Sequence, residues 1–289
     1  MANLKDIRVR INSVRTTRQV TSAMKMVSAA KLKKAQDDVE HMRPFVGKLM
    51  EVANFLGMSV DNVSERFPVF RVSQRGKILI VPIASNKGLA GAFNSNIVKE
   101  TESLIRGEFR RDIVDIMPIG KQLTKGLASR GIAIKGNFND LLDNVNQATV
   151  AEIANRITAE FCSGKYREVH LVYNEFVNAA VQNVVVAQML PLSLLDDKEN
   201  CKYSDYIVEP DKGTVLEAIV PQVVVAKLYS TILESLASEH GARMTSMHKA
   251  TDNATELLSE LQLQYNKARQ AAITNELIEI VSGAEALNS

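Results

Sequence analysis

The sequence predicts an α/β protein: a long antiparallel coiled coil of the N- and C-terminal helices with a small inserted Rossmann-like α/β domain. Three observations predict it. Each end of the chain carries a seven-residue apolar repeat, short apolar strands alternate with helical segments between the ends, and aromatic residues are scarce. Of the 289 residues, 46% are hydrophobic but only 5% are aromatic, with no Trp. This composition favours helix seams and aliphatic sheet cores over aromatic-lined ligand pockets.

The N-terminal segment, residues 1–57, is predicted to form one long helix. Its seam residues recur at alternating steps of three and four, which is the spacing of a coiled coil. The seam positions are Leu4, Ile7, Ile11, Val14, Arg18, Thr21, Lys25, Ser28, Leu32, Ala35, Val39, Met42, Val46, Leu49, Ala53 and Leu56. Asn3 is the expected N-cap and Gly57 the expected helix stop. Pro44 should bend the helix because it removes a backbone donor.

The C-terminal segment, residues 211–287, is predicted to form the partner helix with the same spacing. Its seam positions are Leu233, Ala237, His240, Met244, Met247, Thr251, Ala254, Leu258, Leu261, Tyr265, Ala268 and Ala272. Thr214 and Glu217 have the spacing of a capping box at the helix start, and Gly283 is the expected stop. Pro221 either bends this helix or begins it.

Between the helices, residues 75–206 are predicted to form a small open sheet with flanking helices. The expected strands are 78–83, 113–119, 132–134, 169–173 and 181–190. Helices are expected from about Asn94, over 121–129 and over 149–161. Strands that alternate with helices indicate an α/β layer architecture.

Two stretches of the predicted coiled coil depart from an ordinary apolar seam. The N-terminal seam is polar from Arg18 to Ser28, and residues 1–34 hold nine Lys or Arg against the single acid Asp6. We expect an acidic partner at this end. Beyond Ala272 the repeat ends, yet the following residues are apolar on several sides. Such a helix tip should be buried inside another protein.

The glycine loop 85–92 follows a strand and precedes a helix, where backbone N–H groups often bind phosphate. It has neither GxGxxG nor GK[ST], so a structural turn or a subunit contact is favoured over a nucleotide site. The four histidines show no metal-ligand spacing, so no metal site is expected. A nucleotide-binding enzyme built on the α/β domain stays open as one alternative, and a non-rotary coiled-coil scaffold as another.

Nucleic acid and membrane insertion are not favoured. Residues 1–44 contain no Phe, Tyr or Trp that would stack on bases. No uninterrupted apolar run approaches the roughly 18 residues of a membrane span, and no secretory signal is visible, so a cytosolic chain is expected. Cys162 and Cys201 lack paired spacing, and we expect both to be structural thiols.

Several motifs resemble the gamma-subunit family of the rotary, F-type, proton-translocating ATP synthase, and the resemblance covers essentially the whole chain. Near the start they are IRVRI at 7–11 and TSAMKMVSAAK at 21–31. SNKGLAG follows the first strand at 85–91, and SEHGARM and YNKARQAAIT lie at 238–244 and 265–274. The loop departs from the family pattern at Asn86, where Asp is usual, and at Ala90, where Cys is common.

The resemblance implies a central-stalk rotor. The coiled coil would enter a hexamer of alpha and beta subunits, and the α/β domain would lie against the epsilon subunit and the membrane c-ring. Rotation of the ring would be coupled to ATP synthesis or hydrolysis in beta. The chain itself would be non-catalytic, with no cofactor and no metal. No transit peptide precedes the motifs, so the resemblance implies the bacterial form, peripheral on the cytoplasmic side of the inner membrane.

The resemblance also implies contact residues. Arg269, Gln270 and Thr274 would hydrogen-bond a loop of the beta subunit, and Met24 and Lys25 would occupy the facing turn of the N-terminal helix. Three residues of segment 205–210 would form a foot on the c-ring and epsilon: Asp205, Tyr206 and Glu209. The apolar tip, expected to bear against the surrounding hexamer, contains Ile278, Ile280, Val281 and Leu287.

Overall fold

The computed structural model describes residues 4–136, 138–193 and 206–288. Two long helices bracket the sheet and its smaller helices. The helices are α1 (Leu4–Met58), α2 (Val63–Arg66), α3 (Phe93–Arg106), α4 (Lys121–Ala128), α5 (Gln147–Cys162) and α6 (Lys212–Asn288). The strands are β1 (Lys77–Pro82), β2 (Val114–Ile116), β3 (Tyr166–Phe176) and β4 (Gln182–Leu190). Short 3-10 helices cover Pro68–Phe70 and Asn139–Asp143.

The chain divides into two compact units. The coil unit contains Met1–Ser28 and Met244–Ser289, and the domain unit contains Ala29–Arg243. Both units contain parts of α1 and α6.

In the coil unit, α1 and α6 pack antiparallel along the predicted seam. Ile7 and Ile11 form an apolar cluster with Leu258 and Leu261. Further along α1, the Thr251 hydroxyl donates a 2.9 Å hydrogen bond to the hydroxyl of Thr21. Residue numbers therefore rise on α1 as they fall on α6. Every described seam position of both helices is buried or half-buried, which confirms the predicted coiled coil.

The sheet of the domain unit has the order β2-β1-β3-β4. Strand β1 is parallel to β2 and β3, whereas β4 is antiparallel to β3. Alternate residues of β1 serve two cores because successive side chains point to opposite faces. Leu79 and Val81 pack in the layer that contains α5 and α6, and Ile78 and Ile80 pack in the layer of α3 and α4. Burial on both faces explains the continuous apolar run.

One helix of the described residues, α6, is long and apolar enough to cross a membrane by length and composition. This differs from the sequence-based expectation. The core helix of a soluble protein passes the same test. Leu216, Val220, Val224 and Leu228 of α6 are buried in the larger core of the domain unit. Packing inside the protein therefore accounts for the apolar residues at these positions, and 44% of the apolar window is buried.

Three helix ends lie within one residue of the predicted spans, at Met58, Lys212 and Asn288, but the residues expected to mark those ends do not do so. Gly57 is helical, α1 ends at Met58, and Asn62 rather than a glycine has the positive φ that follows. Helix α6 begins at Lys212 and continues through Pro221 and Gly283 to Asn288. Packing and intrahelical hydrogen bonds override these single-residue signals. The predicted N-cap of α1, Asn3, lies outside the described residues.

The predicted capping box at Thr214 is replaced by an Asp211 cap. Asp211 Oδ1 accepts a 3.0 Å hydrogen bond from the backbone N–H of Thr214, and Asp211 Oδ2 accepts a 2.5 Å bond from its hydroxyl. A carboxylate at this point also favours the positive end of the helix dipole. Asp211 is thus the capping residue, and Thr214 donates the hydrogen bonds that it accepts.

The predicted strand 132–134 is also wrong. Its residues have no strand assignment, and the hydrogen bond from Lys135 N to Ile116 O is the described backbone link to β2. Ile132 and Ile134 instead pack as partly buried side chains against the core beside α3 and α4. Apolar burial without a paired neighbour produces the same sequence pattern as a short strand.

Candidate functional site

The polar stretch of the coil-unit seam forms a shallow cleft between the helices. Arg18, Thr21 and Lys25 are half-buried there, and Ser28 is 3% exposed. The lining of the cleft is polar and consists of Arg18, Gln19, Ser22, Thr251 and Thr255. Because these residues give little apolar burial, the helices gain less from packing here than at the flanking apolar positions. The cleft leaves polar groups accessible to another molecule.

The predicted contact residues fall into two zones instead of one. Met24 and Lys25 are half-buried beside the Thr21–Thr251 hydrogen bond. Arg269 lies about 27 Å further along α6, at 1.5 Å per residue. The expectation that Met24 and Lys25 occupy the turn facing Arg269 is therefore wrong. The antiparallel register sets the partners, and residues near Thr251 face this part of α1.

Arg269, Gln270 and Thr274 are exposed and share one side of α6. At about 100° per residue they span an arc of about 140°, whose centre lies about 140° around the helix from the seam. The Thr274 hydroxyl donates to the backbone carbonyl of Gln270 over 2.9 Å. We refer to this side as the outer face, since it is turned away from α1.

The apolar tip continues the outer face. Helical spacing places Ile273, Leu277, Ile280 and Val281 in the same arc, with Ile278 about 40° beyond its edge. Ile278, Ile280 and Val281 are 57%, 67% and 57% exposed. The described tip is thus apolar mainly on one side, which corrects the expectation of apolar residues on several sides. The side chain of Leu287 lies outside the described residues.

The predicted foot is a small apolar surface at the start of α6. The ring of Tyr206 lies 6.0 Å from that of Phe55, centroid to centroid, and the Lys212 ammonium lies 5.3 Å from the Phe55 centroid. Ile207 is 90% exposed, and Glu209 is exposed beside it. Asp205 lies outside the described residues. Tyr206 and Glu209 therefore border a surface that combines apolar contact area with charge.

The glycine loop 85–92 is held by side chains from several elements. Asn86 Nδ2 donates to Asp143 Oδ1 over 2.8 Å, and Asn86 Oδ1 accepts from the backbone N–H of Lys121 over 3.0 Å. These hydrogen bonds, and Lys121 Nζ 3.3 Å from Asp143 Oδ2, hold the pKa of Asp143 below its ordinary value. The amide at position 86 thus donates a bond that a carboxylate there would not.

Arg243 of α6 binds the same loop from the other side. Its Nη2 donates to the carbonyl of Lys87 over 3.1 Å, and its Nε donates to that of Gly88 over 3.3 Å. Glu239, 2.7 Å from Arg243 Nη1, balances the guanidinium charge. Burial raises the pKa of Glu239, and Arg243 opposes that shift. The loop therefore directs carbonyl oxygens at a cation, an arrangement unlike the N–H cradle of a phosphate site.

His240 lies beside this ion pair with no hydrogen-bond partner on Nδ1 among the described residues. Burial lowers its pKa to about 4, and the positive charges of Arg243, Lys31 and Lys87 act in the same direction. The imidazole is consequently neutral at physiological pH. No group of three or more metal-binding side chains occurs within the described parts of the chain.

Comparison with known proteins gives a consistent match over the full length. A family model described as ATP synthase matches residues 3–287. The ATP synthase gamma chain of Flavobacterium johnsoniae is 49% identical over 100% of both chains, and that of Geobacter metallireducens is 42% identical over 99% of both. The chain belongs to the ATP synthase gamma-chain family. This result confirms the family and the bacterial relationship inferred from the motifs.

Solved structures agree with the gamma-chain fold. A chain of the Tetrahymena thermophila mitochondrial ATP synthase central stalk and c-ring matches with TM-score 0.58 and 28% identity, over 80% of this chain and 99% of that one. A chain of the Euglena gracilis enzyme matches with TM-score 0.68 and 19% identity, over 98% and 94%. The rotor function predicted for a gamma chain is confirmed, and a non-rotary scaffold is not favoured.

Sequence reasoning missed one polar contact of this gamma-family chain. Arg43 Nε donates to Glu234 Oε1 over 2.6 Å, which joins α1 to α6 in the domain unit. Arg43 directly follows the seam residue Met42, and Glu234 directly follows Leu233. Opposite charges that flank a seam on both helices are a recognised signal for an interhelical ion pair. That signal was present in the sequence.

Proposed function

We propose that the outer face of α6 is the surface through which this gamma-family rotor acts on the beta subunits. Arg269, Gln270 and Thr274 supply hydrogen-bonding groups that the partner helix α1 does not use. Their exposure on the side of α6 opposite the seam is the observation that carries the proposal. A contact at this place changes with rotor orientation, because the outer face is on only one side of the helix pair.

The polar cleft would provide a second contact further along α1. Met24 and Lys25 are half-buried on α1 within one helical turn of the lining residue Ser22, and the surrounding N-terminal sequence is strongly basic. An acidic surface of the alpha–beta hexamer is the complementary partner. Because the two zones are separated along the helices, they would contact different levels of the surrounding subunits.

The apolar tip would serve as a bearing inside the hexamer. Ile278, Ile280 and Val281 are more than half exposed in the isolated chain. A one-sided apolar face is suited to burial against a collar of similar character, and apolar contacts have little directional preference. A surface of this kind holds the helix laterally while permitting it to turn.

The foot would bind the ring and the epsilon subunit. Tyr206 and Glu209 offer an aromatic ring and a carboxylate next to the exposed Ile207. A mixed apolar and charged surface of this kind is common in subunit interfaces. In this proposal the foot is the place where torque from the ring enters the rotor.

We also infer that the chain is non-catalytic and binds no nucleotide, although it is part of an enzyme complex. The glycine loop is already engaged by Arg243 through two carbonyl groups. The rotor would instead act by holding each beta subunit in a different state. It can shift a beta subunit only by contacting its open and closed forms unequally. Equilibrium dialysis of the purified chain with ATP tests this inference, and micromolar binding would contradict it.

The chain is part of a membrane-associated complex. We place it on the cytoplasmic side of a bacterial inner membrane, held there by the c-ring with no inserted helix of its own. Its bacterial gamma-chain relatives support this position, and so does burial of the apolar part of α6 in the domain core.

The outer-face proposal is tested with Arg269→Ala/Gln270→Ala in the assembled membrane complex. Proton-driven ATP synthesis is expected to fall about tenfold or more, because loss of two charged or polar contacts removes roughly 1.4 kcal/mol or more of differential binding. Subunit content should stay unchanged, since both side chains are exposed. Gln264→Ala, an exposed position on the other side of the same helix, is the matched control. Full synthesis by the double variant would refute the contact role.

A further inference from the structure

At one point of the domain unit, hydrogen bonds join both long helices to the sheet. Arg43 of α1 donates to Glu234 of α6 through Nε over 2.6 Å and through Nη2 over 2.8 Å. Arg43 Nη2 also donates to the carbonyl of Phe176, the last residue of β3, over 2.9 Å. The backbone N–H of Phe176 donates to Glu234 Oε2 over 3.0 Å. We call this set of four hydrogen bonds the Arg43 tie.

The Arg43 tie has the geometry of a rigid joint. Both oxygens of the carboxylate are used, and the guanidinium is held at two nitrogens, so small rotations lengthen at least one hydrogen bond. The side chain of Glu234 is only 9% exposed, which reduces screening by water. Arg43 is 49% exposed and contributes mainly through geometry.

Neighbouring apolar packing cannot supply the same restraint. Ala35 and Val39 of α1 pack against Leu233 and Ala237 of α6, with Phe176 partly buried beside them. This packing holds the elements together but is non-directional, so it resists separation more than rotation or sliding. The Arg43 tie adds directional bonds at the same place.

Strand β3, to which the Arg43 tie is bonded, is paired with a neighbouring strand on both sides. Strand β3 pairs with β1 on one side and with β4 on the other. A force applied to β1 or β4 is therefore transmitted to β3 through the strand hydrogen bonds. Other polar links also join α6 to the domain, among them those from Lys227 Nζ to the carbonyl of Gln188 and from Arg243 to the glycine loop. The Arg43 tie differs from these two because it also includes α1.

We propose that Arg43 and Glu234 are positioning residues for torque transfer, which fasten the inserted α/β domain to both helices so that they turn together. The proposal rests on the rotor function given above. It concerns a joint within the rotor, whereas the outer face concerns contact with other subunits. Loss of the joint should make the rotor more compliant in torsion without removing its fold or its partners.

The test measures torsional stiffness in the assembled complex. The alpha–beta hexamer is fixed to a surface and stalled with a non-hydrolysable ATP analogue. A bead is attached to the α/β domain through Lys99→Cys, an exposed position, in a background that lacks the other cysteines. The angular variance of the bead reports rotor compliance directly. A merely stabilising residue would change the melting temperature and complex yield but not this variance.

We expect Arg43→Ala and Glu234→Gln each to raise the angular variance about twofold, because each removes the bidentate, charge-assisted pairing that resists rotation at the joint. Arg43→Lys should raise the variance less, since lysine keeps the positive charge but cannot bind both carboxylate oxygens of Glu234 in the same planar geometry. Asp37→Asn is the matched control, because it removes the exposed Lys33–Asp37 ion pair within α1 alone. Leu233→Ala, which weakens the packing and spares the tie, should lower thermal stability and leave the variance near the wild-type value.

Wild-type variance in assembled Arg43→Ala and Glu234→Gln complexes would overturn the proposal, as would an equal rise in Asp37→Asn. If Arg43→Ala does not assemble, Arg43→Lys and Glu234→Gln decide the outcome, because they preserve most of the side-chain shape. The rotor function is judged separately. A wild-type bead that does not rotate on addition of ATP would contradict the rotor function and not the joint.

Discussion

Helix α6 is buried in two different ways in the two units. In the domain unit, five consecutive residues, 231–235, are all buried. In the coil unit, between positions 254 and 261, burial is confined to Ala254, Leu258 and Leu261, and the residues between them are exposed. In the coil unit, α6 packs only against α1 among the described residues, so one stripe of the helix is buried. In the domain unit, the sheet and α5 also pack against α6 and bury additional sides of it. One helix therefore combines a scaffold stretch with a stretch that keeps its outer face free.

The largest expected effect comes from truncating one leucine in each unit. Leu228 is 0% exposed within the domain core, and Leu258 is 6% exposed on the seam. Leu228→Ala should lower the free energy of unfolding by about 3–4 kcal/mol, and Leu258→Ala by about 1–2 kcal/mol, because a seam beside solvent relaxes more easily around a cavity. Urea denaturation of the purified chain measures both values. A larger loss of unfolding free energy in Leu258→Ala than in Leu228→Ala would contradict the difference in burial between the two units.

A second effect depends on pH and uses the two histidines of α6. The folded-state pKa of His240 is about 4, below the ordinary 6.5. The unfolded chain thus gains a proton as the pH falls through 6.5, whereas the folded chain gains it only near 4. Folding stability should fall across this window by up to about 3 kcal/mol, and His240→Gln should remove that loss.

The matched control for this prediction is His248→Gln, because the side chain of His248 is 56% exposed in the coil unit. Melting temperatures at pH 7.5, 6 and 5 provide the measurement. If the acid-dependent decrease is as large in His240→Gln as in the unmodified chain, the neutral state of His240 does not contribute to acid sensitivity.

The smallest expected effect concerns the glycine loop, which belongs to the domain unit but has an exposed edge. Asn86→Asp would place a second carboxylate where the amide now donates to Asp143 over 2.8 Å. The melting temperature at pH 7 should fall by less than about 2 °C, because both groups are near solvent. Adding Asp143→Asn should restore it, whereas Asp140→Asn on the same 3-10 helix should not.

The pH dependence of stability gives a second test of the contact between position 86 and Asp143. The pKa of Asp143 is lowered in the folded chain, first by the Asn86 hydrogen bond and then by that of Lys121. The stabilisation is present above the unfolded pKa of about 3.9 and is lost as the pH falls through the folded value. The difference between Asn86→Asp and the unmodified chain should therefore shrink as the pH falls below about 4. A difference that grows in acid would contradict the repulsion argument.

The seam was predictable because heptad spacing depends on residues close together in sequence. The described positions from Leu4 to Ala272 on the two repeats are buried or half-buried as expected. Periodicity assigns residues to a face, but it does not say which turn of the other helix they meet. For that reason Met24 was placed opposite Arg269, although residues near Thr251 lie there.

Single residues that usually end helices predicted the structure less well than the seven-residue periodicity did. Gly57 and Gly283 read as helix stops, yet both are helical. A glycine weakens a helix by only about 1 kcal/mol. At Gly57 the packing of the flanking turns offsets this cost, whereas at Gly283 the flanking turns are exposed and only the intrahelical hydrogen bonds continue. The strand expected at 132–134 failed for a related reason, since apolar alternation indicates burial and leaves the hydrogen-bond partner undefined.

The sequence by itself determined the two heptad helices, the buried strand β1 and, through its motifs, the gamma-chain family. These properties reside in short-range spacing and residue type. Only the tertiary structure decided that Arg43, Phe176 and Glu234 share one set of hydrogen bonds and that Arg243 holds the glycine loop. The residues of each set are far apart in the chain. Their contact depends on where the chain returns in space, and the opposite charges beside the seam show only that a partner is required.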